Sequence, residues 1–421
     1  LYIDPDEHTA QKCNYCVHRV EVGIEPACVV VCPEQAIVAG DLDDPATKIA
    51  RLVASGTLAQ RSVEQGTGPN LWYKGASDSN LDPLGATHLG DGGGIWRDTE
   101  PGTSWLAVDL SPTAPGRPSA GPEIERSNGA PPRVTYNTDH PAPWGWRVSS
   151  YFLTKGIAAG IVVALALLSL FGGDLTSAWA TWIAPLVAGL FLVATGALLV
   201  ADLKRPDRFY YLLTKGNPGS WLVRGAWILS AYAAILGVWF LAGVFGADGA
   251  IPVLIWVGLP FALATAGYTA YLFAQAEARD LWQSPTMLWH MLAGAFACGG
   301  GFSLLAAAFD NGASDTEITV YAWTMIIGVL GLGAIAANEY FGEHRTANAR
   351  AGAHHMTAGR FATEWLYGGQ VLGVAIPLLF GIITLALGGI VWGVIGGIAA
   401  MAGIWFSDDA LVKAGQAVPL S

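Results

Sequence analysis

The sequence predicts an all-α polytopic membrane protein of about eight transmembrane helices, preceded by a small partial α+β module that carries cysteines. Three observations predict it. Only 13% of the 421 residues are charged and 52% are hydrophobic, against about 25% charged in soluble domains. The deficit is uneven: residues 1–150 are polar, whereas residues 151–406 form a series of apolar stretches. Four of the five cysteines fall within residues 13–32. Glycine, at 53 residues, is close to twice its usual ~7%, as suits membrane helices whose backbones approach closely. The net charge of −11 argues against nucleic acid as a partner.

Taken in order, residues 1–82 hold the cysteine module. A short helical pattern at Ile49, Leu52 and Val53 lies within it. The polar residues 1–12 are no secretory signal. The chain starts at Leu1, close to Cys13, and the expectation is that the start of the protein lies upstream of it. Residues 83–143 are rich in Gly, Pro, Ser and Asp and read as a linker with little regular structure.

Apolar stretches follow at 151–171, 181–201, 221–244, 251–275, 287–309, 319–341, 370–388 and 390–406. A helix crossing ~30 Å of hydrocarbon needs about 20 such residues. Only Gly388 and Gly389 separate the last two. The membrane domain is expected over 144–410, with a tail at 411–421. With eight spans, one face collects Arg147, Lys204, Arg205, Arg208, Lys215, Arg279, Arg345, Arg350, Arg360 and Lys413. The opposite connections hold Asp174, Asp248, Asp310, Asp315 and Glu317, and neither Lys nor Arg. The positive-inside rule places the basic face, and with it the cysteine module, in the cytoplasm.

The cysteine spacing is C-x2-C-x11-C-x3-C-P, through Cys13, Cys16, Cys28, Cys32 and Pro33. Thiolates suit iron–sulfur clusters and zinc alike. The C-x3-C-P ending matches the tail of bacterial ferredoxin runs, and Val29, Val30, Val31, Ile37 and Val38 supply an apolar surround. A structural zinc site and a disulfide pair stay open as alternatives. In two-cluster ferredoxins the fourth cysteine of a run ligates the other cluster, so Cys32 is a candidate ligand of a second [4Fe–4S] cluster. Cys298, alone inside a span, reads as a small core residue.

The run Cys13-Asn14-Tyr15-Cys16-Val17-His18-Arg19, with Glu25-Pro26-Ala27-Cys28, Cys32-Pro33 and Gly40-Asp41-Leu42-Asp43-Asp44-Pro45, resembles the third cysteine run of four-cluster iron–sulfur subunits. Those subunits serve molybdopterin oxidoreductases of the DMSO and polysulfide reductase type. This resemblance covers residues 1–75, and the three other runs of that family are not in this chain. The membrane part resembles the NrfD/PsrC family. It does so through Pro143-Trp144-Gly145-Trp146, Tyr151-Phe152-Leu153, Asp202-Leu203-Lys204-Arg205-Pro206, Asn217-Pro218-Gly219-Ser220-Trp221, Gly267-Tyr268-Thr269 and Leu281-Trp282. The resemblance implies two four-helix bundles, a quinone site in the first four helices, no haem, and a molybdopterin-dependent catalytic subunit as a separate chain.

Quinone reduction takes two electrons and two protons, so a site needs an apolar slot, hydrogen-bonding groups and a proton path. Ionisable residues inside a membrane are costly and often functional. Tyr268 and His140 are the expected quinone contacts, with Asp202 and Glu277 as proton relays. Lys155 reads as snorkelling towards the interface, His290 beside Trp289 as interfacial, and His354–His355 as part of a solvated loop.

The function expected is an electron-transfer and membrane-anchor subunit in a bacterial or archaeal cytoplasmic membrane. It would link [4Fe–4S] clusters to menaquinone or ubiquinone, with proton movement as a candidate coupling. The alternatives are a redox-sensing membrane transporter and a passive anchor with structural zinc.

Overall fold

The computed structural model describes residues 2–3, 10–11, 13–77, 81, 142, 144–203, 205–277, 279–309 and 313–418. The expected linker at 83–143, apart from Ala142, lies outside them, as does His140. By contact density the chain divides into two units. One comprises Leu1–Lys12, Val30–Ala36 and Pro141–Ser421; the other comprises Cys13–Val29 and Ile37–His140.

In the smaller unit, the helices are short and the strands two residues long. Cys16 stands at φ 54°, in the left-handed region, before the helical turn Val17–Val20. The Asn14 side-chain oxygen accepts from the Cys16 amide at 3.0 Å, and Arg19 Nε donates to the Glu25 carbonyl at 2.9 Å. The expected helix near Ile49 is Lys48–Ala54, with Thr47 as its N-cap: Thr47 Oγ1 accepts from the Ala50 amide at 3.2 Å. Leu58–Ala59 pairs antiparallel with Tyr73–Lys74.

The larger unit holds eight helices long and apolar enough to cross a membrane among the described residues. They are Trp146–Leu170, Trp179–Asp202, Trp221–Val244, Asp248–Ala274, Met287–Ala307, Asp315–Phe341, Glu364–Leu387 and Ile390–Ala417. All eight expected stretches are there. The largest departure is the eighth, which runs beyond residue 406 to Ala417 and so carries Asp408, Asp409 and Lys413 within a helix. His354 and His355 also depart from expectation. They belong to a helix, Ala347–Thr357, N-capped by Thr346. His355 is buried there, and burial followed by His354 and Arg360 holds its imidazole below the usual pKa.

Spans 1–4 close a ring of neighbours, and spans 5–8 close a second. The first span joins them, packing on the second, fourth, fifth and eighth. Its Ala158, Ile161, Val162 and Leu165 are fully buried, whereas Leu190, Val193, Val253, Leu379 and Val391 on other spans face outwards. Apolar side chains on the outer surface are what a hydrocarbon solvent selects.

Small residues set the distances between spans. In the fifth, Gly299, Gly300 and Gly301 each admit a different neighbour. A Cβ at Gly299 would meet the Gly160 carbonyl oxygen of the first span at 2.1 Å. One at Gly300 would meet the Met325 amide of the sixth at 2.3 Å, and one at Gly301 the Gly397 Cα of the eighth at 2.8 Å. Consecutive helical residues point about 100° apart, so three glycines in a row open three faces to backbone contact.

Ser314 opens the sixth span with a capping box: its hydroxyl accepts from the Glu317 amide at 3.2 Å, and Glu317 Oε2 accepts from the Ser314 amide at 2.7 Å. Ser314→Ala is expected to cost about 1 kcal/mol, read as a lowered thermal midpoint of the detergent-solubilised protein with its absorption spectrum unchanged. The seventh span begins as a π-helix over Glu364–Ala375, a winding that is rare beyond one turn and frequent near functional sites.

Candidate functional site

Because the spans alternate in direction, the starts of spans 1, 3, 5 and 7 share one end with the close of spans 2, 4, 6 and 8. Trp144 and Gln416 tie span 1 to span 8 at this end: the Trp144 amide donates to Gln416 Oε1 at 3.0 Å, and Gln416 Nε2 donates to the Trp144 carbonyl at 2.8 Å. The polar side chains buried in the bundle concentrate here.

The centre of the first bundle is a cluster on spans 1, 4 and 5. Lys155 is 1% exposed. Its Nζ donates to the Ala266 carbonyl at 3.0 Å and to Thr269 Oγ1 at 2.6 Å, with Met291 Sδ at 4.0 Å. The ammonium lies 5.1 to 5.3 Å from the ring centroids of Tyr151, Phe152 and Tyr268, within the range of cation–π attraction. The Tyr151 hydroxyl bonds that of Tyr268, and shares a hydrogen bond with Thr269 Oγ1 at 2.7 Å. Lys155 therefore does not snorkel. Partners on spans 4 and 5 satisfy it in place, and its stem is enclosed by rings.

Tyr268, expected as a quinone contact, sits in this cluster, its ring against Gly225 of the third span. His140 lies outside the described residues. Asp202 is half-buried at the close of the second span, and Glu277 is exposed in the connection after the fourth. Neither lines a cavity described below.

A second polar group was missed from sequence. His290 is not merely interfacial: its Nε2 lies 2.7 Å from Asp408 Oδ1 of the eighth span, with the histidine side chain 13% and the carboxylate 4% exposed. One residue on, Asp409 accepts from Ser149 Oγ at 2.7 Å and pairs with Lys413, which also reaches Glu364 Oε2 at 3.1 Å. Hydropathy marks the span as ending near Phe406, so these carboxylates fell outside it. Their partners, on spans 1, 5 and 7, lie far off in sequence.

Two cavities share His290 and Ile404 in their linings. One, of about 280 Å³, is lined by Phe152, Lys155, Met291, Cys298, His290 and Asp408 among others. The larger, of about 600 Å³, lies in the second bundle and is lined mostly by apolar side chains, with Ser284, Thr286, His290, Glu339, Gln370 and Ser407. Cys298 is the buried packing residue expected, against Gly156.

At the same end, the loop between spans 2 and 3 grips the Cys32–Pro33 peptide. The Asn217 amide donates to the Pro33 carbonyl at 2.7 Å, and its Nδ2 donates to the carbonyls of Val30 at 3.2 Å and Cys32 at 3.1 Å. The loop is itself tied to the fourth span: Gln275 Nε2 donates to the Gly219 carbonyl at 3.0 Å, Gln275 Oε1 accepts from the Trp221 amide at 2.9 Å, and Trp221 stacks on Tyr271 at 4.4 Å. Asn217→Ala removes two of the three hydrogen bonds to the peptide, each worth about 0.5–1.5 kcal/mol. Amides of residues 30–36 are expected to exchange hydrogen roughly tenfold faster or more, as mass spectrometry of the exchanged protein would read.

The cysteine donors suit an iron–sulfur group. Cys13, Cys16, Cys28 and Cys32 are free thiols, and Cys32 Sγ accepts from the Ala36 amide at 3.1 Å, the kind of hydrogen bond that tunes a ligating thiolate. Among the described residues, no three His, Cys, Asp or Glu side chains gather round a single metal-ion position.

A polytopic helical domain with ionisable groups buried at one end, continuous in sequence with a four-cysteine peptide, defines a membrane protein of iron–sulfur type. Residues 135–419 match the family described as polysulphide reductase, NrfD, and this protein belongs to that family. Residues 1–42 match the 4Fe-4S dicluster domain, which decides for iron–sulfur over zinc or a disulfide. The sequence is 45% identical over 67 residues to the arsenate respiratory reductase iron-sulfur subunit ArrB of Shewanella sp. (strain ANA-3), covering 16% of this protein and 29% of that one. It is 39% identical over 85 residues to one of the subunits of tetrathionate reductase from Salmonella typhimurium, covering 20% and 34%. With a component of the polysulfide reductase of Wolinella succinogenes it shares 42% identity over 72 residues, 17% and 38%. The match thus spans roughly a third of the length of these curated relatives.

Proposed function

We propose that the protein is the electron-transfer and membrane-anchor subunit of a reductase-type complex, exchanging electrons between an iron–sulfur module and an isoprenoid quinone, menaquinone or ubiquinone, in the bilayer. A separate molybdopterin-dependent catalytic subunit is its redox partner, a reading supported by relatives named as reductase subunits. When bound to Cys13, Cys16, Cys28 and Cys32, the clusters supply one-electron exchange.

One observation carries this reading. The Cys32–Pro33 peptide is held by Asn217 at the end of the bundle where the Tyr151–Tyr268–Lys155 cluster is buried. From Asn217 the chain runs four residues to Trp221, and four more, about 6 Å of helix, to Gly225 against the Tyr268 ring. A cysteine ligand and a set of hydrogen-bonding hydroxyls thus share one rigid corner.

Within that corner each residue has a task. Tyr268 and Tyr151 hold hydroxyl protons where a quinone carbonyl needs a donor. Lys155 fixes Thr269 and supplies positive charge where a reduced ring gathers negative charge, in a medium that screens it little. Phe152, Phe273 and Trp282, with ring centroids 4.8 to 5.3 Å apart, keep water out. The basic face, which carries Arg205, Arg279 and Arg350, is the cytoplasmic one by the positive-inside rule. On that reading the module lies inside the cell and the bundle in the cytoplasmic membrane of a bacterium or archaeon.

The test is reconstitution of the intact complex in liposomes, reduction of its clusters and addition of ubiquinone-1 or a short-chain menaquinone. Reoxidation, followed by loss of the reduced-cluster EPR signal, is expected. Clusters that stay reduced overturn the reading.

A further inference from the structure

Reduction of a quinone to quinol consumes two electrons and two protons, and the reverse releases them. The protons have to cross from the buried tyrosine cluster to water. Asp202 and Glu277 sit at span ends and line neither cavity. The polar groups that do line the cavities form a different path.

We propose that these protons pass along the junction of the two bundles, through Asp408 and His290, to the basic face of the membrane domain. This rests on the quinone reading above. The path begins at Tyr268, whose hydroxyl bonds Tyr151, which bonds Thr269, which bonds Lys155 Nζ. Lys155 and Asp408 both line the smaller cavity, whose free space is about that of one water molecule. Asp408 is held at 2.7 Å by His290, which lines both cavities, as does apolar Ile404. Beyond His290, the 600 Å³ cavity reaches Thr286, Ser284 and Glu339.

Glu339 is poised to receive a proton. Its Oε1 accepts from Thr286 Oγ1 at 3.3 Å and Ser284 Oγ at 3.4 Å. Its Oε2 is buried and accepts no hydrogen bond among the described residues. His344 Nδ1, 3.9 Å from that oxygen, stands next to exposed Glu343 and Arg345 at the end of the sixth span. Every group on the path belongs to the end of the bundle that holds Cys32. The route therefore exchanges protons with the face that receives the electrons, and moves no charge across the whole membrane.

A buried carboxylate paired to histidine has a bland alternative, a structural tie between spans 5 and 8. The two roles separate by experiment. The intact complex is reconstituted in liposomes sorted by orientation, with a pH dye inside. Its clusters are reduced, and ubiquinone-1 is added to wild type and to Asp408→Asn, His290→Gln and Glu339→Gln. The first two substitutions keep a hydrogen bond between the spans while removing proton exchange.

Proton uptake is expected from the face that bears the cysteine peptide. In Asp408→Asn and His290→Gln it should fall at least about tenfold, with a solvent deuterium effect larger than in wild type. The thermal midpoint and the EPR spectrum of the reduced clusters should stay as in wild type. Glu339→Gln should show a smaller loss of the same kind. Uptake at wild-type rate in both Asp408→Asn and His290→Gln, or uptake from the opposite face, overturns the route while leaving the quinone reading intact. Wild-type clusters that ubiquinone-1 does not reoxidise overturn the quinone reading, and the route with it.

Discussion

Gly299→Val is expected to abolish assembly of the membrane domain. The new Cβ would lie 2.1 Å from the Gly160 carbonyl oxygen and 2.3 Å from its carbon, both backbone atoms of the first span. No rotamer change relieves a clash with backbone, so spans 1 and 5 have to separate. The first span is the element on which both bundles rest, and separating it uncovers Ala158, Ile161 and Cys298 together. Overpacking in a core costs about 1–3 kcal/mol where side chains can shift; a backbone clash at the hub exceeds that. The protein should fail to leave detergent extracts as a single species on gel filtration. Gly237→Val, in the third span with nothing within 4 Å of its would-be Cβ, should purify as wild type does. If both variants behave alike, the close contact of spans 1 and 5 is not what holds the domain.

Lys155→Met should leave the fold as stable or make it more so, while slowing the proposed quinone reduction by about 10²–10⁴-fold. Replacing a buried charge with an apolar group of similar size removes a desolvation cost that its hydrogen bonds only partly offset. The methionine stem fills the same space among Phe152, Tyr151 and Met291. Thr269 then loses its donor, and the tyrosine pair loses the positive charge beside it. Single-turnover reoxidation of reduced clusters by ubiquinone-1 reads the rate, and thermal denaturation reads the stability. A variant that loses both together would mean that Lys155 is a structural tie.

The spans were legible because hydrocarbon is an undiscriminating solvent: it demands about 20 apolar residues in a row and a backbone that satisfies itself. Even the close pair of spans 7 and 8 could be separated, since Gly388 and Gly389 adopt φ of 71° and 92°, open to glycine and to few other residues. The cysteine spacing was legible for a similar reason, ligand chemistry being local. The polar interior was not. Whether Lys155 snorkels or is held depends on Ala266, Thr269 and Met291, which lie 111 to 136 positions away. Trp289 made His290 look interfacial, because nothing nearby announces Asp408, 118 residues on. The eighth span looked shorter than it is because hydropathy counts Asp408 and Asp409 as breaks, whereas Ser149, Lys413 and His290 neutralise them from other helices or from the next turn.

The clasp on Cys32 imposes an order of events at the ribosome. The cysteine and the asparagine that holds it are 185 residues apart, roughly ten to forty seconds of synthesis at typical rates. For that interval the cysteine peptide has emerged, while the loop that seats it has not. Two helices have to enter the lipid before the loop can form. Metal loading therefore either waits for the translocon or takes place on an unseated peptide that is captured afterwards. Joining both parts in one polypeptide fixes their stoichiometry at one to one, and it makes that delay an unavoidable stage in the birth of the protein.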